Sequence, residues 1–359
     1  SQDDIKSSKS FLNQLVDIIN TDVSSSATRR QFQVFVTGGV GPGVTSSIFQ
    51  TVYDQDFTLQ TANPIFDMTF GVQSGSEVVQ NLNPTIDSNG KYLFPQTSLM
   101  MREKMDVYRL FAQDLLGNSN AVFTATSGSN STEIKEALFF AFKRLFARDQ
   151  IKRETFAIRI NPTASVTTGG TNLNVIAAST TKIYTDINSS VNKEFEFGGQ
   201  ISTIVDSANT GVPVGLLFLD KGVLVLDASR SFDQAVLLPG SIGAVTSTGA
   251  ATFSGSLGKL MSSASMDDFL NHVASTRFSG SDSTSIAFQN TTNINSTLFF
   301  ARLAADEFNY SSNPTFIDSE NRIVVIDDGQ EEIQRSFTFV TSIGLYDAYN
   351  NLLGVGKLS

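Results

Sequence analysis

The sequence contains one glycine-rich segment with the spacing of a phosphate-binding loop. Residues 38–45 read GGVGPGVT and follow a predicted strand. A phosphate-binding loop has a lysine directly before its hydroxyl residue, where the charge meets the terminal phosphates. Val44 occupies that position here, and Pro42 disfavours a regular phosphate cradle. We therefore interpret this segment as a structural turn.

His272 is the only histidine, and it follows Asp267 and Asp268 on a short predicted helix. Structural and catalytic zinc sites combine several histidine, cysteine or carboxylate ligands. The chain has no cysteine and no second histidine to join His272. A serine triad assembles in space and leaves no fixed spacing, but no Gly-x-Ser-x-Gly elbow is present. We predict no catalytic role for His272.

Adjacent carboxylates are the remaining candidates for acid–base or metal chemistry. They include Asp267–Asp268, Asp327–Asp328 and Glu331–Glu332. Glycosidases need two carboxylates held a few ångströms apart in a cleft, and calcium loops need a regular alternation of oxygen ligands. The pairs around Gly329 lack that alternation, so we interpret them as solvated charges at a turn. The sequence predicts no catalytic residue, no metal site and no cofactor.

The composition excludes several classes of function. The formal net charge is −10 over 359 residues, which argues against nucleic acid as the main ligand. No apolar run reaches the roughly 20 residues that a membrane-spanning helix needs. The first residues lack the basic start and apolar stretch of a signal peptide. The chain has 29 Phe and no Trp, and the absence of Trp counts against a sugar-binding surface.

Three segments of the first half have helical spacing of apolar residues. In residues 5–19, Leu12, Leu15, Val16 and Ile19 share one helical face. Residues 98–116 show the clearest pattern, with a glycine directly after them as a stop signal. Residues 131–149 have a broad apolar face that suggests contact on two sides. We predict helices over all three segments.

The second half has the patterns of strands. Residues 216–219 and 223–226 flank a three-residue turn that ends in Gly222, and both arms are apolar on both faces, which predicts a buried hairpin. Residues 240–265 read as a loop, and residues 266–275 as a short helix capped by Ser265. Further strands are predicted over residues 323–326 and 337–346, and the chain ends in a second hairpin.

The C-terminal segment carries a resemblance to a known class of proteins. Residues 337–347 read FTFVTSIGLYD, and residues 350–358 read NNLLGVGKL. This pattern resembles the I-G-L-Y-D hairpin of virion proteins from contractile-tailed bacteriophages, including baseplate and tail-collar fibre proteins. In that pattern the small residue before the last valine is usually alanine, whereas Gly354 stands here. The resemblance implies a virion component held by packing and strand pairing.

These patterns lead to one expected architecture. We predict an α+β fold with a helix-containing N-terminal half and a β-rich, antiparallel, sandwich-like C-terminal half. The expected segments are an N-terminal helix and arm (1–60), a helix-rich region (61–154), a β-rich domain (155–260) and a C-terminal β-rich segment (261–359) that completes the same sheet system.

The expected function is structural and not enzymatic. We predict a subunit that joins neighbouring proteins in a phage tail or baseplate, self-associates in several copies and resides in the virion after assembly in the host cytoplasm. A receptor-binding or adhesin module and a cell-wall hydrolase are the alternatives. The predicted partner-contact residues are Phe139, Phe142, Phe146, Leu345, Tyr346 and Leu353.

Overall fold

The structure is a computed structural model that describes the following residues: 5–19, 27–35, 45–79, 86–91, 97–162, 165–166, 176–177, 181–187, 189–191, 194–232, 235–237, 254–278, 284–300, 302, 304, 307, 309–311, 313–320, 322–324, 326–327, 329–330, 332–336 and 338–358. The glycine-rich segment at residues 38–45 lies outside them except for its last residue. The chain divides into two compact units, one of Ser1–Lys9 with Asn295–Ser359 and one of Ser10–Ile294. The four segments predicted above stay a prediction.

Strands dominate the described secondary structure. The strands are β1 (Ile5–Ile19), β2 (Arg29–Phe35), β3 (Thr45–Tyr53), β4 (Pro64–Val72), β5 (Phe123–Ser127), β6 (Asn130–Ile134), β7 (Glu136–Phe142), β8 (Gln150–Ile151), β9 (Ala157–Ile160), β10 (Ser165–Val166), β11 (Ile176–Ala177), β12 (Lys182–Thr185), β13 (Glu194–Glu196), β14 (Gly199–Asp206), β15 (Asn209–Phe218), β16 (Val223–Asp227), β17 (Ala235–Leu237), β18 (Ser254–Ser256), β19 (Thr284–Phe299), β20 (Ser342–Tyr346) and β21 (Leu352–Lys357). The helices are α1 (Leu99–Leu116), α2 (Arg144–Ala147), α3 (Ala228–Ser231), α4 (Leu257–Ser263) and α5 (Met266–His272), which continues into a π-helical turn, Val273–Arg277.

Among the described residues, one sheet of 13 strands organises the fold. Its order is β1-β19-β9-β12-β14-β15-β16-β7-β4-β3-β2, with β13 beside β14 and β8 beside β19. The central pairs, from β14 through β15, β16 and β7 to β4, are all antiparallel. At one edge β1 lies beside β19, where Thr291 Oγ1 donates to Asn13 Oδ1 at 2.9 Å across 278 residues of sequence.

The predicted α+β division into a helical N-terminal half and a β-rich C-terminal half is wrong. Four strands precede the first described helix, and β7 from the first half pairs with β16 from the second. Both halves therefore contribute strands to the same sheet. The chain is a mostly β protein in which a few helices cover the sheet.

The central strands are apolar on both faces because both faces are covered. Phe139 and Phe140 are neighbours on β7 and point to opposite sides. The Phe139 ring stacks on Phe111 of α1, with ring centroids 4.1 Å apart. The Phe140 ring meets the edge of Phe278, directly after the π-helical turn, at 5.8 Å. The sheet is thus the middle layer between α1 on one side and the α5 segment on the other.

Helix α1 confirms the prediction for residues 98–116. Ser98 caps its N-terminus, where its Oγ accepts a hydrogen bond from Met101 N at 3.2 Å. Gly117 ends the helix in the left-handed conformation, with φ of 75°, which glycine adopts without a steric penalty. The apolar stripe packs on the sheet, and Tyr108, Ala112 and Leu115 are buried.

The helix predicted over residues 131–149 is wrong for most of its length. Residues 130–134 and 136–142 form strands, and only Arg144–Ala147 is helical. The run of apolar residues in β7 is compatible both with a helix that has a broad apolar face and with a strand that is buried on both sides. Pairing with β4 and β16, which are distant in sequence, decides in favour of the strand.

The helix predicted over residues 5–19 is also wrong, because this segment is β1. The spacing of its apolar residues is compatible with a helix, yet Leu12 and Leu15 are 61% and 60% exposed whereas Val16 is buried. Its partner β19 supplies backbone hydrogen-bonding groups that the local sequence does not reveal.

The hairpin of β15 and β16 is confirmed. Leu216 pairs with Val225 and Leu217 with Leu224, and all four side chains are buried. Gly222 closes the turn at φ 67°. The hairpin runs through the middle of the sheet, which explains why both of its faces are apolar.

Several shorter predictions are settled by the described residues. The helix with its Ser265 cap is confirmed as α5. The loop predicted over 240–265 is wrong for residues 254–263, which form β18 and α4, because Leu257, Leu260 and Met261 give α4 a buried face. At residues 323–326, where a strand was predicted, Ile323 forms a single antiparallel β-bridge with Ile317. The strand predicted over residues 337–346 begins only at Ser342.

The C-terminal hairpin is confirmed by β20 and β21, which pair antiparallel. Its turn is held by Asp347, whose Oδ1 accepts from the backbone N–H groups of Tyr349 and Asn351 at 2.8 Å each. Asn350 adopts a φ of 61° in this turn, a conformation that asparagine tolerates better than most residues.

Candidate functional site

A cavity of about 750 Å³ opens where the start of β7 meets α3 and α4. Its wall is polar and carries both signs of charge. It includes Glu77, Lys135, Glu136, Ser229, Lys259 and Ser262. Such a wall suits a polar ligand better than an apolar one.

Glu136 is held in place by two serine hydroxyls. Ser229 Oγ, from α3, donates to Glu136 Oε2 at 2.9 Å. Ser76 Oγ, from the segment after β4, makes a short hydrogen bond to Glu136 Oε1. Ser76 Oγ in turn accepts from Val78 N at 3.0 Å. These bonds fix the carboxylate at the cavity wall.

Asp227 lies behind the cavity at the end of β16, where it caps α3. Its Oδ1 accepts from Ser229 N at 3.0 Å and from Arg230 N at 3.3 Å, and its Oδ2 lies 3.5 Å from Arg230 Nε. Burial, followed by the negative charge of Glu136, raises the pKa of Asp227 to about 7, against the opposing effect of Arg230. The side chain therefore titrates near neutral pH.

Lys104 connects α1 to the wall of the cavity. Its Nζ is fully buried and donates to the carbonyl oxygens of Met261, at 2.6 Å, and Ala264, at 2.7 Å. These carbonyls stand at the C-terminal end of α4, where helices leave acceptors unsatisfied. Burial lowers the pKa of Lys104 to about 8, and Asp268 and Glu103 oppose that shift.

His272 lies in the core of the fold. It is completely buried, and its Nε2 accepts from Arg277 Nε at 3.2 Å. Burial and then the charge of Arg277 lower its pKa well below the ordinary value, so the ring is neutral. Arg277 also lies over the Phe232 ring, 4.9 Å from its centroid. His272 and Arg277 therefore form a buried polar pair within the core.

The carboxylates of Asp267 and Asp268 serve the packing of α5. Asp268 Oδ2 accepts from Ser265 Oγ at 2.8 Å, within the helix cap. Asp267 Oδ1 accepts from Gln50 Nε2 of β3 at 2.8 Å, in a network that includes Asn271. Burial raises the pKa of Asp267, and the hydrogen bond from Gln50 opposes that shift. Asp328 and Glu331 lie outside the described residues, and the described ones include no cluster suited to a metal ion.

The predicted partner-contact residues fall into two groups. Phe139 and Phe142 are buried in the sheet, and Phe146 is half-buried on α2. All three were expected on one face of a helix over residues 131–149, where the structure instead has β6, β7 and the short helix α2. Leu345, Tyr346 and Leu353 lie on the β20–β21 hairpin, where they are 56%, 61% and 71% exposed.

The unit that contains this hairpin buries few of its apolar side chains. Among its described residues, Phe316 is the one apolar side chain classed as buried. Residues 338–358 alone expose a series of large apolar side chains: Phe339, Val340, Ile343, Leu345, Tyr346, Tyr349, Leu352, Leu353, Val355 and Leu358. Large exposed apolar patches occur at protein–protein interfaces, membrane-contact sites and ligand-binding grooves of folded proteins.

The hairpin is recognisable from its sequence motif, whereas no sequence pattern pointed to Glu136, Asp227 or Lys104. Glu136 and Asp227 are far apart in the sequence and come near each other only through the pairing of β7 with β16. Lys104 is one of several charged residues in the sequence of α1. The only available signal was its position four residues before the buried Tyr108, on the same side of the helix.

Comparison with known proteins adds no relative: no protein-family model, no curated protein and no solved structure matches the chain. None of the helices in the described part of the chain combines the length and the apolar composition needed to cross a bilayer.

Proposed function

We propose that this chain is a structural, non-enzymatic subunit of a contractile-tailed bacteriophage particle, where it joins neighbouring proteins in the tail or baseplate. The observation that carries this proposal is the apolar surface of the β20–β21 hairpin. All five residues of β20 are exposed, and so are five of the six residues of β21.

The exposed hairpin would be stabilised by a partner that covers it. An isolated two-stranded hairpin is marginally stable in water, and stable sheets have further strands or a packed face. Covering apolar surface contributes roughly 25 cal/mol per Å². A neighbouring protein that covers the hairpin therefore gains affinity and also stabilises the hairpin itself.

The sequence motif supports the same role. The exposed strands are the segments whose sequence, SIGLYD followed by LLGVGKL, resembles the hairpin of contractile-tail virion proteins. In this role the chain is assembled in the host cytoplasm and remains in the virion, bound to other virion proteins and to further copies of itself.

Alanine variants of the hairpin test the proposal. Leu345→Ala, Tyr346→Ala and Leu353→Ala, combined in one chain, should reduce its incorporation into phage particles at least tenfold. Their unfolding free energy should change little, because exposed side chains contribute within about 0.5 kcal/mol each. Incorporation is measured by quantitative mass spectrometry of purified particles, and stability by urea unfolding of the free chain.

Phe139→Ala is the matched control, since it removes a buried ring at a cost of about 3–5 kcal/mol. It should unfold the free chain at a lower urea concentration, unlike the hairpin variants. If the hairpin variants destabilise the free chain as much as Phe139→Ala does, the hairpin belongs to the core. Absence of the chain from particles of the phage that encodes it would refute the structural role.

A further inference from the structure

A second cavity, of about 530 Å³, lies within the unit Ser10–Ile294 and shares no lining residue with the first. Its volume falls within the roughly 300–1,000 Å³ of small-molecule sites. Two antiparallel strand pairs contribute to its wall: Thr291 of β19 stands opposite Gln150 of β8, and Gln200 of β14 stands opposite Phe195 of β13. Directly opposite residues share a face of the sheet, so each pair presents its side chains together.

Two amide side chains of this cavity have their oxygen engaged and their nitrogen available. Gln200 Oε1 accepts from Arg153 Nε at 3.4 Å and from Arg153 Nη2 at 3.1 Å. Asn13 Oδ1 accepts from Thr291 Oγ1 at 2.9 Å. Neither Gln200 Nε2 nor Asn13 Nδ2 donates a hydrogen bond to another described residue. Both amides are thus fixed with their N–H groups left for a ligand, and Gln150 adds a third amide to the wall.

The described lining of this cavity is cationic, although the net charge of the chain is −10. Lys152 and Arg153 are its charged residues, and its described part includes no carboxylate. Arg153 is held in the wall by the carbonyl oxygens of Ser189, at 3.0 Å, and Ile201, at 2.9 Å. Lys152 is exposed, and its Nζ donates to Gln289 Oε1 at 3.1 Å. An ammonium group has three donors, so Lys152 can also bind an anion.

The carboxylates that adjoin the lining in sequence are engaged by partners outside it. They are Asp149, bonded by Arg144 and by the backbone of Asn293; Glu154, bonded by Ser190; and Glu194, bonded by Thr126. The positive charge of the cavity is therefore available to a ligand.

Two phenylalanine rings complete the wall. Phe11 of β1 is 59% exposed and Phe195 of β13 is 67% exposed. The face of an aromatic ring is negatively polarised and attracts the positively polarised C–H groups on the apolar face of a sugar ring. The chain has no Trp to provide such a surface, and these two rings provide it here.

We infer that this cavity binds an acidic saccharide, a sugar that carries a carboxylate. The carboxylate accepts hydrogen bonds from Lys152 Nζ, the hydroxyl groups pair with the three amides, and the apolar sugar face packs against a phenylalanine ring. An inorganic anion would leave the rings and amides without contacts, and an apolar ligand would leave the amides unpaired at a free-energy cost. This binding site goes beyond the proposed structural role and does not depend on it.

Two sugars that differ in one group test the inference. Methyl glucuronide carries a carboxylate where methyl glucoside carries an alcohol. Saturation-transfer difference NMR with the full chain should give a Kd on the order of 1 mM for the glucuronide, the scale for a ligand of this size. The glucoside should bind about two- to fivefold more weakly, the effect of one exposed ion pair.

Lys152→Met should remove that preference, because it weakens binding of the glucuronide and leaves binding of the glucoside unchanged. Lys91→Met, at an exposed lysine outside the lining, is the matched control and should change neither affinity. Gln200→Glu keeps an acceptor for Arg153 but replaces the amide N–H donors with a negative charge. It should weaken the glucuronide more than the glucoside.

Phe195→Ala should weaken both sugars by about two- to tenfold, the range of aromatic contacts. Phe197→Ala is its matched control, because Phe197 is 74% exposed, lies two residues further along the chain and does not line the cavity. It should leave both affinities unchanged.

Several outcomes overturn the inference. They are equal affinity for the two sugars, no saturation transfer to the glucuronide at concentrations well above the expected Kd, and an equal effect of Phe195→Ala and Phe197→Ala. Lys152-dependent binding of adenosine monophosphate without binding of the glucuronide would assign the cavity to a nucleotide instead. Incorporation into phage particles is measured separately, so each of these results leaves the test of the structural role intact.

Discussion

Glu136 and Asp227 lie on the paired strands β7 and β16, and the carboxylate of Glu136 adds to the burial that raises the pKa of Asp227 to about 7. Ser229 connects them, since its Oγ donates to Glu136 and its backbone N–H donates to Asp227. The pair thus combines a side chain fixed by hydrogen bonds at a cavity wall with a buried acid whose pKa is raised to about 7.

The raised pKa of Asp227 predicts a specific dependence of stability on pH. A carboxyl whose pKa is higher in the folded state stabilises the fold at low pH, and this contribution is lost as the pH rises through the folded-state value. For Asp227 the loss falls between its ordinary pKa of 3.8 and about 7. Between pH 5 and pH 8 it amounts to roughly 2.5 kcal/mol.

Asp227→Asn should remove that part of the pH dependence while its side-chain oxygen still caps α3. Urea unfolding at pH 5 and pH 8 measures the difference, which should be smaller in the variant than in the natural chain. Asp186, whose pKa burial raises to about 6, contributes a decline of the same sign in both proteins. Asp106→Asn, on the exposed face of α1, is the control. An unchanged decline in Asp227→Asn would contradict the assignment.

Lys104→Met should destabilise the unit that contains α1 and α4. Methionine is similar in length but leaves the carbonyl oxygens of Met261 and Ala264 without the buried donor, at a cost of about 1–3 kcal/mol. Arg102→Met, an exposed position on the same helix, should change stability by less than about 0.5 kcal/mol. Equal unfolding midpoints of the two variants would show that the Lys104 hydrogen bonds contribute nothing.

Gly71→Ala should show how closely α1 packs on β4. A Cβ at Gly71 would lie 2.8 Å from the backbone N and 2.9 Å from the Cα of Tyr108. The helix must shift to admit it, so we expect a loss of about 1–3 kcal/mol. Gly258→Ala in α4 is the control, because its Cβ meets nothing within 4 Å. That change should be neutral or stabilise by up to about 1 kcal/mol. If Gly71→Ala leaves the unfolding free energy unchanged, α1 does not pack on β4 as closely as described.

The sequence predicted those elements whose signals are local. Helix α1 has its cap, its stripe and its terminal glycine within 20 positions, and the two hairpins have their turns between their strands. The helix prediction was wrong at residues 136–142 because Phe139 and Phe140 belong to two different hydrophobic clusters, on opposite faces of the strand. Apolar residues on both faces of a strand give the same sequence pattern as a broad apolar helix face.

The cavity could not be predicted from the sequence for a different physical reason. Glu136 in its wall and Asp227 behind it are 91 positions apart in the sequence. The burial that raises the pKa of Asp227 exists only after the sheet has formed. The exposed hairpin was accessible because its motif, its turn and its apolar residues are contiguous. The structure added which side chains share a face.

The pairing of β1 with β19 also constrains the order of events during synthesis. The contact between Asn13 and Thr291 spans 278 residues, so the ribosome must release most of the polypeptide before this edge can close. Bringing such distant segments together makes folding slow and leaves apolar strands temporarily open to misassociation. We expect production of this protein to depend on chaperones that shield the nascent first strand until its late partner emerges.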